Sequence, residues 1–279
     1  MVDDGSTDGG EDLVKEQYRE RVKLIGQENK GVSQARNKGI QEAKFPYIAF
    51  LDADDYWHPD YLGFVSKVIA ENPEVGIIGC HYDFDQLERK PRLSYFRLKK
   101  YFKEAVHNTR FFTSATCIKK EFFEIHPGFD PNLKLGEDID VWLRASLFFG
   151  DGIYIQNTLV YYSREDPSSA TRKSYSFDQT LIPKVLSENY YSNSIRDSTC
   201  SPETFIRFQS KWVYLNLFQH YFSNRSSTQE VLSRIPRKYF LIHIIYTLPS
   251  GLLKAIFSSK SLSVLFRNYM KFCFHYIYT

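Results

Sequence analysis

The sequence is poor in the residues that build disulfide frameworks and zinc centres. Its four cysteines, Cys80, Cys117, Cys200 and Cys273, are widely separated and form no CxxC pair, and its seven histidines show no helical HxxxH spacing. We therefore expect neither a disulfide framework nor a zinc site, and this cysteine usage favours a reducing cytoplasm. The chain opens without a signal-peptide pattern, which favours the same cytoplasmic location.

Acidic residues and long apolar runs are missing from the last part of the chain. From residue 231 onward there is no Asp or Glu, whereas seven Lys or Arg residues are present. The longest uncharged stretch of this region, residues 239–253, contains a Pro and a Gly and is too short to span a bilayer. The overall formal charge of +3 is therefore unevenly distributed, because acidic residues are in excess before residue 231 and the tail that follows is basic.

The first 165 residues alternate short apolar runs with helical patterns, which predicts an α/β fold with a mostly parallel sheet and flanking helices. Strands are predicted at 22–28, 47–53, 74–84 and 152–163, and helices at 32–44, 59–71 and 136–149. After a loop near residue 165 the pattern is helical, beginning with an amphipathic segment at 205–222. We therefore expect two domains, residues 1–165 and a C-terminal helical region at 166–279.

Three carboxylates come directly after a predicted buried strand. Asp52, Asp54 and Asp55 follow the apolar residues 48–51. Ligands of parallel α/β sheets bind beyond the carboxyl ends of the strands, and a divalent cation would offset the repulsion between these side chains. Mg²⁺ commonly takes one or two protein carboxylates and completes its shell with water and phosphates. A polar loop in which Asp55 or His58 caps the next helix explains the same pattern.

Three further motifs accompany this cluster: VDDGSTD (2–8), ENKGVSQARNKG (28–39) and GFDPNLKLGEDIDVWLR (128–144). In their order and spacing, over residues 2–165, the motifs resemble those of the family 2 glycosyltransferases, inverting enzymes of the Rossmann-related GT-A fold that use nucleotide-sugar donors. The resemblance implies transfer from a nucleotide-diphosphate sugar, by default a UDP-sugar, to a saccharide or lipid-linked acceptor in cell-surface polysaccharide synthesis. Mg²⁺ or Mn²⁺ is the implied cofactor.

The resemblance also implies donor-binding and metal-binding residues. Asp4 matches the acidic residue that contacts the nucleotide base, and Asp52 matches a residue near the ribose. Asp54 matches the metal ligand of the family's D-x-D motif. Arg36 and Lys38 lie in the helix-start motif that borders the donor. Two plainer interpretations stay open, with Asp4 as a turn residue and Arg36 as a surface charge of its helix.

The resemblance also implies a catalytic base and residues that bind the acceptor. Asp138 matches the catalytic base of the family's E-D motif, and a carboxylate there would take the proton of the acceptor hydroxyl. Glu137 and Trp142 are predicted to contact the acceptor sugar, because Trp142 shares a helix face with Asp138. The alternatives are a favourable charge in a first helical turn for Asp138 and core packing for Trp142.

Two features depart from the family pattern. Family members carry about 30 residues, the size of a βαβ unit, before the turn that VDDGS matches, whereas here Met1 directly precedes it. A missing interior strand would leave unpaired backbone groups and an apolar sheet edge, so a truncated or degraded copy with poor solubility or activity is expected. The loop at 161–171 also lacks the histidine of many relatives, and Arg164 or Asp166 is its predicted substitute.

Two functions of other classes are compatible with the sequence. A catalytically inactive, truncated relative could act as a binding module. A nucleic-acid binder could use the basic segment at 87–106 and the tail, but no motif of that class is present, so no nucleic-acid partner is predicted.

The basic tail ends in an amphipathic pattern. One apolar stripe combines residues at steps of three and four, namely Leu262, Leu265, Tyr269, Phe272 and Tyr276. This composition, with basic residues on another face, suits helices at an anionic membrane interface. It predicts peripheral attachment to the inner face of the cytoplasmic membrane, beside lipid-linked acceptors. In the alternative, the stripe packs on the rest of the protein.

Overall fold

The computed structural model describes residues 1–164, 175–187, 191, 200–222 and 224–278. The chain divides into two compact units, one made of residues 1–99 and 110–173 and the other of residues 100–109 and 174–279. Residues 100–109 thus belong to the second unit, although they lie inside the first predicted domain. The physical reason is aromatic packing, because the Phe102 ring meets the rings of Phe205 and Phe208 at 5.1 and 5.3 Å between centroids.

The strands of the described residues all belong to the first unit. They are β1 (Val2–Asp3), β2 (Ile25–Gly26), β3 (Tyr47–Ala49), β4 (Tyr56–Trp57), β5 (Ile77–Asp83), β6 (Tyr95–Arg97), β7 (Thr116–Lys119) and β8 (Ile153–Tyr161). β1 and β2 form a two-stranded parallel sheet, and the others form a six-stranded sheet in the order β3-β7-β5-β8-β4, with β6 also paired to β8.

Strand direction is mixed in the six-stranded sheet. The long pairing of β5 with β8 is parallel, as expected. The pairings β3–β7, β5–β7, β4–β8 and β6–β8 are antiparallel. The expectation of a mostly parallel sheet therefore holds for β1–β2 and β5–β8. Each antiparallel pairing involves one of the short strands β4, β6 and β7. These strands of two to four residues are too short to show an alternating or continuous apolar pattern.

The helices of the first unit are α1 (Gly10–Tyr18), α2 (Val32–Glu42), α3 (Tyr61–Glu71), α5 (Glu121–Ile125) and α6 (Glu137–Phe149). Those of the second unit are α4 (Tyr101–Glu104), α7 (Leu181–Val185), α8 (Pro202–Leu217), α9 (Arg225–Arg234), α10 (Phe240–Tyr246), α11 (Ser250–Ser258) and α12 (Lys260–Phe272). The predicted helices at 32–44, 59–71 and 136–149 are confirmed to within a few residues.

Two glycines set the starts of the helices that matter for the site. Gly31 precedes α2 with φ 88° and Gly136 precedes α6 with φ 85°. Side chains with a Cβ rarely adopt positive φ, so glycine lets the chain turn sharply into each helix. As a result, both helices begin close to the end of the sheet where β3 stops.

The core of the first unit lies between α3 and the six-stranded sheet. It includes Val65 and Val68 from α3 and Ile78, Cys80 and Ile155 from the central strands, all buried. The four cysteines are free thiols, and burial raises the pKa of Cys117 to about 12. A buried thiol with so high a pKa is unreactive at neutral pH.

Candidate active site

Ser114 holds the loop that follows β3 in place. The Asp52 amide donates a hydrogen bond to Ser114 Oγ at 3.0 Å, and the Trp57 indole N–H donates to the Ser114 carbonyl at 2.6 Å. Asp55 is buried and accepts a hydrogen bond from the Ser163 amide at 3.0 Å. His58 Nδ1 accepts a hydrogen bond from the Asp60 amide at 3.0 Å, just before α3, but the start of α3 has no side-chain capping hydrogen bond from either Asp55 or His58.

Arg36 links the loop to the start of α6. Its Nη2 donates to both oxygens of Asp52, at 2.9 and 2.8 Å, and its Nη1 donates to Glu137 Oε1 at 3.0 Å. The guanidinium lies over the Phe129 ring, 5.2 Å from its centroid. Burial would lower the pKa of Arg36, but the charges of Asp52 and Glu137 raise it above its ordinary value. The group is therefore a permanent positive charge between two carboxylates.

Asp138 is a partly buried carboxyl group of the site. Its Oδ1 accepts from the Ile139 amide at 2.7 Å, and its Oδ2 accepts from the Thr113 hydroxyl at 3.3 Å. Burial and then the charge of Glu137 raise the pKa of Asp138 to about 6, although the charge of Arg36 opposes this effect. A carboxyl with a pKa near neutrality is suited to accept and release a proton under physiological conditions.

Asp54 is the exposed carboxylate of the loop. Within the described part of the chain no hydrogen bond or ion pair involves its side chain, and no group of three or more His, Cys, Asp or Glu side chains is arranged to hold a metal ion. Asp52 is engaged by Arg36, so Asp54 is the ligand that the loop offers. One carboxylate with open coordination positions fits Mg²⁺ or Mn²⁺ bound together with a phosphorylated ligand.

Asp4 and Lys38 lie in different surroundings. Asp4 accepts hydrogen bonds from Gln27 Nε2 at 2.6 Å and from the amides of Lys30 and Gly31 at 2.9 and 2.8 Å. Burial would raise the pKa of Asp4, but these hydrogen bonds lower it. Lys38 forms an ion pair with Glu42 at 3.0 Å on the surface of α2. The structure therefore joins Asp4 to the turn before α2 and does not bring Lys38 to the carboxylates.

The structure corrects the prediction that Trp142 stacks on a sugar. Its side chain is fully buried and meets the rings of Phe50 and Phe129 edge to face, at 5.8 and 5.9 Å between centroids. No ring face is left for a ligand, because α6 turns this side toward the core. Glu137, the other predicted acceptor residue, is held by Arg36.

Two further candidates are placed by the structure. Asp140, another carboxylate in the first turn of α6, is buried in an ion pair with Arg144 at 2.8 Å, which leaves it no role in proton transfer. Arg164 lies over the Phe84 ring, 3.2 Å from its centroid. Asp166, the alternative to Arg164, is outside the described residues.

Thr113 and Ser114 are functional candidates that sequence reasoning missed. They form a short 3-10 turn, Thr113–Ala115, just before β7. Thr113 contacts Asp138 and Ser114 contacts Asp52, so one turn touches both ends of the charged cluster. A Thr-Ser pair is too common to mark a site, and the pairing of β7 with β3 and β5 puts it there.

Fold and site together define an α/β protein with a charged cluster at the end of its sheet, the edge where α/β proteins bind ligands. Residues 1–123 match the model of the family described as Glycosyl transferase family 2. This match over the first part of the chain agrees with the resemblance to family 2 glycosyltransferases that the sequence motifs indicate, three of which lie within the matched residues.

Named relatives agree with this assignment. The "Putative glycosyltransferase EpsH" of Bacillus subtilis (strain 168) is 38% identical over 84 residues, which cover 29% of this chain and 24% of EpsH. The "Uncharacterized glycosyltransferase EpsJ" of the same strain is 29% identical over 190 residues, which cover 63% of this chain and 54% of EpsJ. The chain thus matches about a quarter to a half of the length of these relatives.

A solved structure shares the fold. The crystal structure of S. aureus TarS 1–349 in complex with UDP-GlcNAc matches with a TM-score of 0.63 at 15% identity, covering 98% of this chain and 81% of TarS 1–349. This likeness confirms the predicted GT-A-like α/β fold with a C-terminal helical region.

Proposed function

We propose that the protein transfers a sugar, with inversion, from a nucleotide-diphosphate sugar to an acceptor hydroxyl, with Asp138 as the base. The observation that carries this proposal is the partly buried Asp138 carboxyl, with its pKa raised to about 6, beside the Arg36–Asp52–Glu137 network. The TarS structure contains UDP-GlcNAc, which makes UDP-sugars the first donors to test. The acceptor class is a saccharide or a lipid-linked saccharide of cell-surface polysaccharide synthesis.

The reaction is a single displacement. The acceptor oxygen forms a bond to the anomeric carbon while the bond from that carbon to the diphosphate oxygen breaks, and the bonding electron pair leaves with the nucleoside diphosphate. The acceptor proton passes to Asp138 during the attack, which makes the hydroxyl a better nucleophile. Attack from the face opposite the leaving group inverts the anomeric configuration.

Two side chains are assigned to the donor side. Asp54 would hold Mg²⁺ or Mn²⁺, which when bound neutralises the charge that develops on the diphosphate. Arg36 keeps Asp52 in one orientation through two hydrogen bonds. Both hydrogen bonds come from one guanidinium nitrogen and are charge-assisted, which strengthens them, while the other nitrogen holds Glu137, so Asp52 is held beside Glu137.

The donor assignment is tested by measuring release of the nucleoside diphosphate from a panel of sugar nucleotides with Mn²⁺, together with donor binding by calorimetry. We expect Asp54→Ala to lose Mn²⁺-dependent donor binding while its thermal midpoint without metal stays at the wild-type value, because this carboxylate is exposed and unpaired. Asp12→Ala, which removes an exposed carboxylate of α1, is the matched control and should bind donor normally.

Two outcomes would contradict the proposal. Equal donor affinity of Asp54→Ala and wild type, with and without Mn²⁺, would remove Asp54 from the metal site. Donor binding without turnover of any sugar nucleotide would favour the alternative of a catalytically inactive relative that acts as a binding module.

We also propose that the second unit attaches the protein to an anionic membrane surface. The predicted apolar stripe is solvent-exposed, with Leu265, Phe272 and Tyr276 exposed by 64%, 54% and 67%. The buried side chains of α12 are instead Phe266 and Met270. An exposed apolar stripe next to basic residues is characteristic of helices that lie in a membrane interface.

A further inference from the structure

Four aromatic side chains gather where the parallel strands β5 and β8 end. Tyr82 lies near the end of β5, with Phe84 just beyond it, and Tyr162 follows β8. The two strand ends remain paired after register shifts on either side of His81, because Tyr82 pairs with Val160 and the Tyr162 amide donates to the Asp83 carbonyl at 2.8 Å. The fourth side chain, Phe112, precedes the Thr113–Ala115 turn. The carboxyl edge of a parallel pair is a place where α/β proteins bind ligands.

The rings contact one another but are not closed off from solvent. Tyr82 lies at the centre, 5.8 Å from Phe84, 4.8 Å from Phe112 and 6.1 Å from Tyr162 between centroids. All four residues are only partly buried, whereas the neighbouring Phe50, Phe129 and Trp142 form a buried cluster. A partly exposed group of aromatic rings at a ligand-binding edge has apolar surface available for a ligand.

This aromatic cluster lies beside the base. Phe112 is adjacent to Thr113, whose hydroxyl donates to Asp138 at 3.3 Å. Burial, followed by the charges of Tyr162 and Asp138, raises the pKa of Tyr82, so the phenol ring lies within electrostatic range of the Asp138 carboxylate. Arg164 covers one face of Phe84. Of the four rings, those of Tyr82 and Tyr162 carry a hydroxyl group.

We propose that Tyr82, Phe84, Phe112 and Tyr162 form the subsite for the acceptor saccharide, with Tyr82 as the stacking surface. This inference rests on the proposed function, since an acceptor is needed only if a sugar is transferred. A pyranose ring has an apolar C–H face and a rim of hydroxyl groups. The face packs on an aromatic ring, and a rim hydroxyl is then directed at Asp138, which takes its proton as the new glycosidic bond forms. Tyrosine suits this role because it combines an apolar face with a hydroxyl.

The test measures saccharide binding without requiring turnover. Saturation-transfer NMR is recorded for methyl β-glycosides of glucose, galactose and N-acetylglucosamine, in the presence of UDP and diamagnetic Mg²⁺. We expect Tyr82→Leu to weaken binding of the saccharide that binds wild type by about 3- to 10-fold, in keeping with the usual strength of one aromatic contact. Tyr82→Phe, which keeps the ring, should retain binding. Phe45→Leu removes an exposed ring at the opposite end of β3 and should match wild type.

A second measurement separates a binding role from a structural one. With an active donor, the ratio of transfer to donor hydrolysis should fall in Tyr82→Leu and recover in Tyr82→Phe. If Tyr82→Leu fails to fold, Tyr162→Leu takes its place. Wild-type binding in the leucine variant, or a wild-type protein that hydrolyses donor but binds none of these saccharides, would overturn the subsite and leave the proposed transferase standing. A wild-type protein that binds a saccharide but turns over no donor would contradict the proposed function alone.

Discussion

At the scale of single residues, the surroundings of Asp138 destabilise the charged form of its carboxyl group. The carboxyl is partly buried, lies next to Glu137, and receives hydrogen bonds from the Ile139 amide and the Thr113 hydroxyl. Because its pKa is raised to about 6, the folded state binds more protons than the unfolded state between the ordinary carboxyl pKa and pH 6. Stability therefore falls as pH rises through this window, and the whole cost is present above it.

Asp138→Asn should separate activity from stability. It keeps the shape of the side chain but cannot accept a proton, so turnover should fall by about 10²- to 10⁴-fold. The variant should also unfold at a higher temperature than wild type at pH 7.5, with a gain on the order of 1 to 3 kcal/mol, because the cost of a buried charge is removed. Steady-state kinetics measures the fall in turnover, and thermal melts measure the rise in stability. Near-normal turnover would move the base to Glu137, since Asp140 is buried in its pair with Arg144.

The Thr113 hydroxyl should tune the pH dependence of the reaction. Turnover needs the charged form of Asp138, so we expect it to rise with pH through about 6 and to be lost on the acid side. Thr113→Val removes a donor that stabilises the charged form, which should move the rise to higher pH. Thr113→Ser keeps the donor and should restore the wild-type profile. Identical profiles for the valine variant and wild type would show that this 3.3 Å contact has no influence on the base.

At the scale of single elements, the starts of α2 and α6 decide where the charged residues lie. Gly31 and Gly136 turn the chain at positive φ, and the helices that follow bring Arg36 and Glu137 together. The ion pairs from Arg36 to Asp52 and to Glu137 then join three elements that are distant in sequence. The geometry of the site thus depends on two helix starts and one loop.

A glycine comparison tests the role of the α6 start. Gly136→Ala puts a Cβ at φ 85° and should lower the free energy of unfolding by about 1 kcal/mol or more, because side chains are strained there. Gly63 lies inside α3 and has open space where an added Cβ would stand, so Gly63→Ala should raise stability slightly. Urea unfolding of both variants measures the difference. Equal effects of the two substitutions would show that the φ of Gly136 does not constrain α6.

On the scale of the whole molecule, charge and apolar surface are concentrated in the tail. The segment from residue 231 has seven basic and no acidic residues, and several of its large apolar side chains are exposed. Among the described helices none is long and apolar enough to cross a bilayer alone. Arg237–Tyr246 and Ser250–Ser258 satisfy length and composition together, with a bend of 89° between them. Attachment at the surface is the mode that the exposed stripe of α12 supports.

Vesicle flotation tests this attachment on the full chain. We expect binding to anionic vesicles that weakens with salt, since about 1 kcal/mol is available for each basic residue near such a surface, and little binding to neutral vesicles. The double variant Leu265→Ser with Phe272→Ser should lose most of the binding. Its control, Phe45→Ser with Leu62→Ser, removes exposed apolar side chains of the first unit and should bind as wild type does. Failure of the wild type to bind anionic vesicles at low salt would rule the attachment out.

The sequence by itself determined the family, the main helices and the residues that carry charge. These features depend on local patterns, since an amphipathic helix such as α3 or α6 shows its period over three turns and the motifs stand in a characteristic order. Asp52, Asp54 and Asp138 were all identified in this way, as was the apolar stripe of the tail. The roles assigned to them stay predictions until the experiments above are done.

Only the tertiary structure decided which of these residues meet. Arg36 and Glu137 are 101 positions apart and form an ion pair, Thr113 reaches Asp138 because β7 runs beside β3 and β5, and Lys38 turns away to Glu42. The spacing of Trp142 from Asp138 suggested that both face the ligand, but Trp142 is buried. Spacing shows that two residues share a helix face and does not show which face the core covers. Long-range pairing and burial result from packing the whole chain, and no local pattern contains them.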